Sequence, residues 1–155
     1  MTELSTGDAA PDFNLPTNGG GSVALSNFEG KALVLYFYPK DDTTGCTAEA
    51  IAFTQYLPQF EALGATVVGV SPDSVKKHDN FARKRELSII LASDEDTAVA
   101  QRYGVWKQKS MYGRSYMGIE RSTFLIDKNG RINRIWFKVK VTGHVEEVLD
   151  AVRAL

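Results

Sequence analysis

One cysteine, Cys46, and two histidines, His78 and His144, are all that this chain of 155 residues offers in thiols and imidazoles. A single cysteine excludes an intramolecular disulfide, so no covalent staple holds the fold. That suits a reducing compartment. The two histidines are far apart and show no ligand spacing, which argues against a metal centre. The longest apolar run, Ala32–Tyr38, is far too short to span a bilayer. Residues 1–15 lack a basic stretch followed by an apolar one, so no secretory leader is visible and a cytoplasmic location is expected. Charge of one sign is lacking too. Eighteen Lys and Arg against 19 Asp and Glu leave a formal charge of -1, which points to neither nucleic acid nor an anionic membrane as partner.

What is present is ordinary globular composition, 43% hydrophobic and 24% charged. The length predicts one domain over residues 1–155. Ala32-Leu-Val-Leu-Tyr-Phe-Tyr38 reads as a central strand buried on both faces. Cys46, Ala50, Phe53, Leu57 and Phe60 then recur at helical spacing, with a kink or restart predicted at Pro58 and an end at Leu63-Gly64. A second buried strand, Ala65–Val70, leads into a helix over about Val75–Arg85, with Ser71-Pro-Asp-Ser74 supplying its cap. Ile89–Ala92 reads as a third strand, and Ser93-Asp94 caps a short helix closing near Tyr103-Gly104. Lys107–Gly118 reads as a mobile solvated loop. Ser122–Ile126, the turn Asp127-Lys-Asn-Gly130 and Arg131–Phe137 predict a hairpin, and Thr142 caps a closing helix, Val145–Ala154. Phe13–Leu15 and Ser22–Leu25 make a small N-terminal hairpin. This order predicts an α/β fold: a mixed sheet with helices on both faces.

Cys46 falls where the best central strand gives way to a helix, at the sheet edge where ligands of open α/β folds gather. Unsatisfied amides and the helix dipole at a first turn favour an anion, hence thiolate over thiol. Free cysteines are equally at home as small buried hydrophobes, and Cys46 lies on the apolar stripe. Position alone leaves these two readings level. A redox dithiol needs a second cysteine where Glu49 stands, a cysteine phosphatase an arginine where Ala52 stands, and a Cys-His hydrolase one of two distant histidines. His144 is expected in solvent on the last helix, and His78 half-buried and hydrogen-bonded.

Pro39-Lys-Asp-Asp-Thr43-Thr-Gly-Cys46 resembles the Pro-x-x-x-Thr-x-x-Cys segment of the peroxiredoxin family. Gly7-Asp8-x-Ala10-Pro11-Asp12-Phe13, Val70–Ser74, Tyr103–Trp106 and Arg121–Asp127 follow in that family's order, so the resemblance covers nearly the whole chain. Phe37-Tyr-Pro-Lys40 with Gly45-Cys-Thr47 points to the bacterioferritin-comigratory, or peroxiredoxin Q, subgroup. The resemblance implies a thioredoxin-like fold and reduction of hydrogen peroxide or organic hydroperoxides, without metal, haem or flavin cofactor. It makes Cys46 the peroxidatic nucleophile, passing through sulfenic acid. Thr43 would orient the peroxide and Pro39 shield the sulfur. Arg121 would stabilise the thiolate and the leaving oxygen, with Glu49 holding it in place and Gly45 supplying a flexible backbone.

Two positions depart from the subgroup. Thr44 stands where many members have proline, and Ile51 where members often carry a resolving cysteine. The oxidised form of Cys46 must then be reduced by an outside thiol: thioredoxin, glutaredoxin or glutathione. The alternative is a peroxide sensor or redox-regulated binding protein that uses the same cysteine without efficient turnover. The subgroup resemblance leans toward a monomer over a dimer.

Overall fold

A computed structural model describes residues 3–155. The chain runs β1 (Asn14–Pro16), β2 (Ser22–Ala24), β3 (Ala32–Phe37), α1 (Thr44–Ala62), β4 (Ala65–Ser71), α2 (Val75–Arg85), β5 (Ile90–Ser93), α3 (Ala98–Arg102), β6 (Trp106–Met111), β7 (Arg114–Ile119), β8 (Ser122–Ile126), β9 (Ile132–Trp136) and α4 (His144–Arg153). The central sheet has the order β5-β4-β3-β8-β9. β3, β4 and β5 are parallel, and β8 and β9 join antiparallel, so the sheet is mixed. β1 and β2 form the separate N-terminal hairpin. Among the described residues no helix is long and apolar enough to cross a membrane.

β3 shows why an unbroken apolar run belongs at the centre. Side chains alternate across a strand, so Leu33, Leu35 and Phe37 enter one core with Val99, Tyr103 and Phe124. Val34 and Tyr36 enter the other, with Phe53 and Phe60 of α1, Phe81 of α2 and Val148 of α4. Both faces are therefore covered, α1 and α4 on one and α3 on the other. Gly69 in β4 stands beside Tyr36 in register. A Cβ there would fall 2.7 Å from the Tyr36 ring, so only glycine lets that ring lie over β4 and stack on Phe53, centroids 4.6 Å apart.

Several local expectations are corrected. α1 passes Pro58 without interruption over 19 residues. Pro58 is exposed, while Phe53 and Phe60 pin both flanks into the core. Lys107–Gly118 is not a loop. It lies within the antiparallel hairpin of β6 and β7, whose turn places Tyr112 at φ 53 and Gly113 at φ 75. Two consecutive left-handed residues match the twist of a two-residue hairpin. The cap of α4 is Gly143, at φ 75, and not Thr142. Asp94 does cap α3, from outside the helix, by accepting from the Val99 and Ala100 amides at 3.2 and 2.9 Å.

Candidate active site at the start of helix α1

The loop leaving β3 is fastened before it reaches α1. The Tyr38 hydroxyl donates to Asp41 Oδ1 at 2.5 Å, and the Asp41 amide donates to Asp73 Oδ2 at 2.8 Å. Asp41 Oδ2 lies 2.6 Å from His78 Nδ1, and His78 Nε2 lies 2.9 Å from the Ala92 carbonyl. A carbonyl only accepts, so Nε2 carries a hydrogen. His78 is fully buried, deeper than its half-buried expectation, and ties the loop to α2 and β5. Next along the chain, Asp42 meets Lys84 at 2.6 Å and Arg85 at 2.8 Å. Those cations, chiefly through their hydrogen bonds, hold its carboxyl below the usual range. Asp41, Asp73 and His78 bring ligand-type atoms within 4.8 Å of one another, and these bonds already engage them.

Thr43 is the N-cap of α1, in extended conformation, and its carbonyl accepts the first helical bond from Thr47 at 2.8 Å. Its hydroxyl caps no amide. It turns back and donates to the Lys40 carbonyl at 2.8 Å. Pro39 is half-buried in the same loop. Cys46, third in the helix, is 2% exposed. The stripe read from sequence places it there.

Arg121, at the entrance to β8, reaches across to this turn. Its Nη2 donates to Cys46 Sγ at 3.3 Å and its Nη1 to Glu49 Oε1 at 2.7 Å. Glu49, one turn below Cys46, is completely buried. Burial pushes its carboxyl up to about 7, against the pull of Arg121. Burial also works against the Arg121 charge, but Glu49 and Cys46 outweigh it and hold the guanidinium above its usual value. Gly45 has a steric role beside any flexibility. A Cβ there would fall 3.1 Å from Arg121 Nη2, tight enough to press the guanidinium off the sulfur. Cys46, Arg121, Glu49 and Gly45 thus meet in one place, with Thr43 and Pro39 in the loop above. Arg121 is the residue that composition and spacing had no means of choosing among the arginines.

His144 corrects the expectation of a solvent position. It is 4% exposed, with Nε2 2.8 Å from Thr123 Oγ1 and its ring edge-on to Trp136 and Phe53. Burial lowers its pKa to about 4, opposed by Glu147 and assisted by Arg121 and Arg134. A folded-state pKa below the unfolded one means the unfolded chain binds the proton first as pH falls. The stabilisation from neutral His144 is therefore present above about 6.5 and is lost as pH drops toward about 4. His144→Gln should gain stability relative to the wild type over that window, read by urea unfolding at each pH. Parallel profiles would show that His144 titrates alike in both states.

A cavity of about 240 Å³ lies against the loop itself, between Lys40, Asp41, Asp42 and Lys84, and other cavities lie away from it. One of about 580 Å³, bounded by Gly30, Leu63, Lys128 and Leu155, sits at the far end of β3 from Cys46.

Comparison with known proteins gives a consistent result. Residues 6–135 match the model of the AhpC/TSA family. A protein of Coxiella burnetii named putative peroxiredoxin bcp is 49% identical over 94% of this chain and 97% of its own length. Peroxiredoxin Bcp of Bacillus subtilis is 48% identical, covering 97% of this chain and 96% of its own. The bacterioferritin comigratory protein of Xanthomonas campestris, solved in work on its alkyl peroxide reduction activity, superimposes with a TM-score of 0.90 at 46% identity. That match covers 97% of this chain and 96% of the other.

Proposed function

The chain belongs to the AhpC/TSA family and is a peroxiredoxin, a thiol peroxidase of thioredoxin-like fold, and from that premise we propose that it works by a one-cysteine mechanism centred on Cys46. The observation that carries this reading is the guanidinium of Arg121, held by buried Glu49 and donating to the sulfur of the chain's only cysteine.

The sulfur of Cys46, as thiolate, attacks one oxygen of a hydroperoxide. An S–O bond forms as the O–O bond breaks, leaving a sulfenic acid and an alkoxide or hydroxide that takes up a proton. Arg121 already faces the sulfur, so it also faces the oxygen on which charge develops, and its donors need no reorganisation during the step. The Thr43 hydroxyl, with its proton committed to Lys40, keeps acceptor capacity to orient the peroxide's own hydrogen. Pro39 contributes a ring and no amide where water is to be kept off the sulfur. Glu49 and Gly45 act through Arg121, one by holding it and the other by leaving it room.

The sulfenic acid then requires an external thiol, because the position five residues on is Ile51, 44% exposed, and not a second cysteine. Hydrogen peroxide and organic hydroperoxides are the substrates, and thioredoxin, glutaredoxin or glutathione the candidate reductants. The test counts turnover. In excess dithiothreitol the protein should consume many equivalents of peroxide. A single equivalent, leaving a long-lived sulfenate, would instead support the sensor reading, which the lack of a partner thiol also favours.

A further inference from the structure

The hairpin of β6 and β7 has no part in the step just described, yet it stands beside the site. Its register pairs Lys107 with Gly118, Lys109 with Tyr116 and Met111 with Arg114. Opposed residues of an antiparallel pair share a face and alternate pairs change face. Lys107, Lys109 and Arg114 therefore project from one side, with Tyr116 and Met111 between them. None of these three cations is in an ion pair among the described residues. The Lys109 stem lies across Gly118, where a Cβ would fall 3.3 Å from its Cδ and 3.5 Å from the Tyr116 ring. Lys109 is half-buried. Burial first, then the nearby Arg121 cation, hold it below the usual lysine range, with Glu120 and Cys46 acting the other way. The face is thus a positive ledge whose base leads to Arg121: β7 ends at Ile119, two residues before it, and the Glu120 amide closes the base by donating to the Val105 carbonyl at 2.8 Å.

We propose that this face of the β6–β7 hairpin is the docking surface for the external reductant, and that the reductant is a small thiol carrying carboxylate charge. This rests on the one-cysteine reading of Cys46. Two observations select the occupant. Three cations on one face, without an ion pair among the described residues, attract anions and raise their local concentration. A sulfur that is 2% exposed favours a slim attacker over a bulky one. The chemistry closes with two equivalents. The first thiolate attacks the sulfenic sulfur, an S–S bond forms as the S–O bond breaks, and the departing hydroxide takes a proton to become water. A second thiolate attacks the mixed disulfide on the small-molecule sulfur and expels Cys46 as thiolate. The two small thiols are oxidised to their disulfide, and the sulfenic acid is reduced.

The test separates the half-reactions. Cys46 is oxidised with one equivalent of hydrogen peroxide and the uptake of one oxygen is checked by mass. Stopped-flow reduction is then followed with 3-mercaptopropionate, 2-mercaptoethanol and cysteamine, compared at equal thiolate concentration. At low ionic strength the anionic thiol should outrun the cationic one by about tenfold, a gap that collapses near 0.5 M salt, roughly the regime of full screening. In Lys109→Gln and in the Lys107→Gln/Arg114→Gln double variant the anion-to-cation ratio should fall several-fold. That ratio is internal to each variant, so any change in the sulfur's own reactivity cancels, and the double variant stands if Lys109→Gln fails to fold. Equal ratios in wild type and variants would overturn the proposal while leaving the peroxidase reading intact. So would a charge preference found in the oxidation step with peracids instead of the reduction step. Failure of Cys46 to take up oxygen would sink both.

Discussion

Cys46→Ser is expected to abolish peroxide turnover, lowering the rate constant for peroxide consumption by at least about 10⁴-fold in excess dithiothreitol. Losing the nucleophile of an enzyme commonly costs that much or more. A serine hydroxyl is not ionised near neutrality and forms no sulfenic acid, so the sequence of attack and resolution has nowhere to begin. The fold should survive. Serine is close in size to cysteine, and Arg121 has Glu49 as its second partner, so the guanidinium stays anchored. The new hydroxyl enters a pocket walled by Ala50 and Phe53, but it keeps Arg121 Nη2 as a donor, so it is not left without a partner. Circular dichroism at 25 °C should therefore match the wild type. Equal peroxide consumption by the two proteins would remove Cys46 from the mechanism.

The second large effect is expected at Arg121. Arg121→Ala should lower the second-order rate of Cys46 oxidation by roughly 10²- to 10³-fold, the cost of losing one preorganised donor to developing oxygen charge. The loss should fall on oxidation, read by stopped-flow fluorescence of the tryptophans, and not on peroxide stoichiometry. Arg121→Lys is the informative companion. Lysine keeps the charge but offers a point donor in place of a fork, and it cannot hold Glu49 and face the sulfur in the same planar geometry. It should recover only part of the lost rate. Removing the arginine leaves Glu49 buried with no cation, but a carboxyl already pushed to about 7 then takes up a proton and limits the structural damage. A rate for Arg121→Ala within about twofold of wild type would show that the observed contact is structural and not part of the chemistry.

Much of this site lay open in the sequence, and what did not has physical reasons. The run Ala32–Phe37 announces a strand covered on both sides, and the stripe from Cys46 to Phe60 announces the helix that starts there. Together they place the sulfur. Arg121 is different, because its meeting with Cys46 bridges 75 positions and is created by β8 pairing antiparallel beside β3. No local period encodes that, and only the resemblance to a family named it. His144 did leave a trace, since it precedes Val148 and Val152 at steps of four on the buried side of α4. A polar imidazole on the last helix suggests an outside position, whereas Trp136 and Phe53, from two other elements, close over it. The β6–β7 hairpin was hidden by its composition. Its strands are mostly charged or polar, its faces half open to solvent, and its turn is Tyr-Gly instead of the Asn-Gly or Asp-Gly that mark such turns. Pro58 misled in the opposite sense, because tertiary packing on both flanks carries a helix through a residue that would end it in isolation.

Oxidised Cys46 finds no partner thiol in its own chain, and intact mass spectrometry tests that directly. After one equivalent of peroxide without reductant, the protein should gain a single oxygen on Cys46 and persist as the monomeric chain. On addition of a small thiol it should pass through a Cys46 mixed adduct back to the starting mass. An unmodified Cys46 after peroxide, or return to the starting mass with no thiol added, would contradict it.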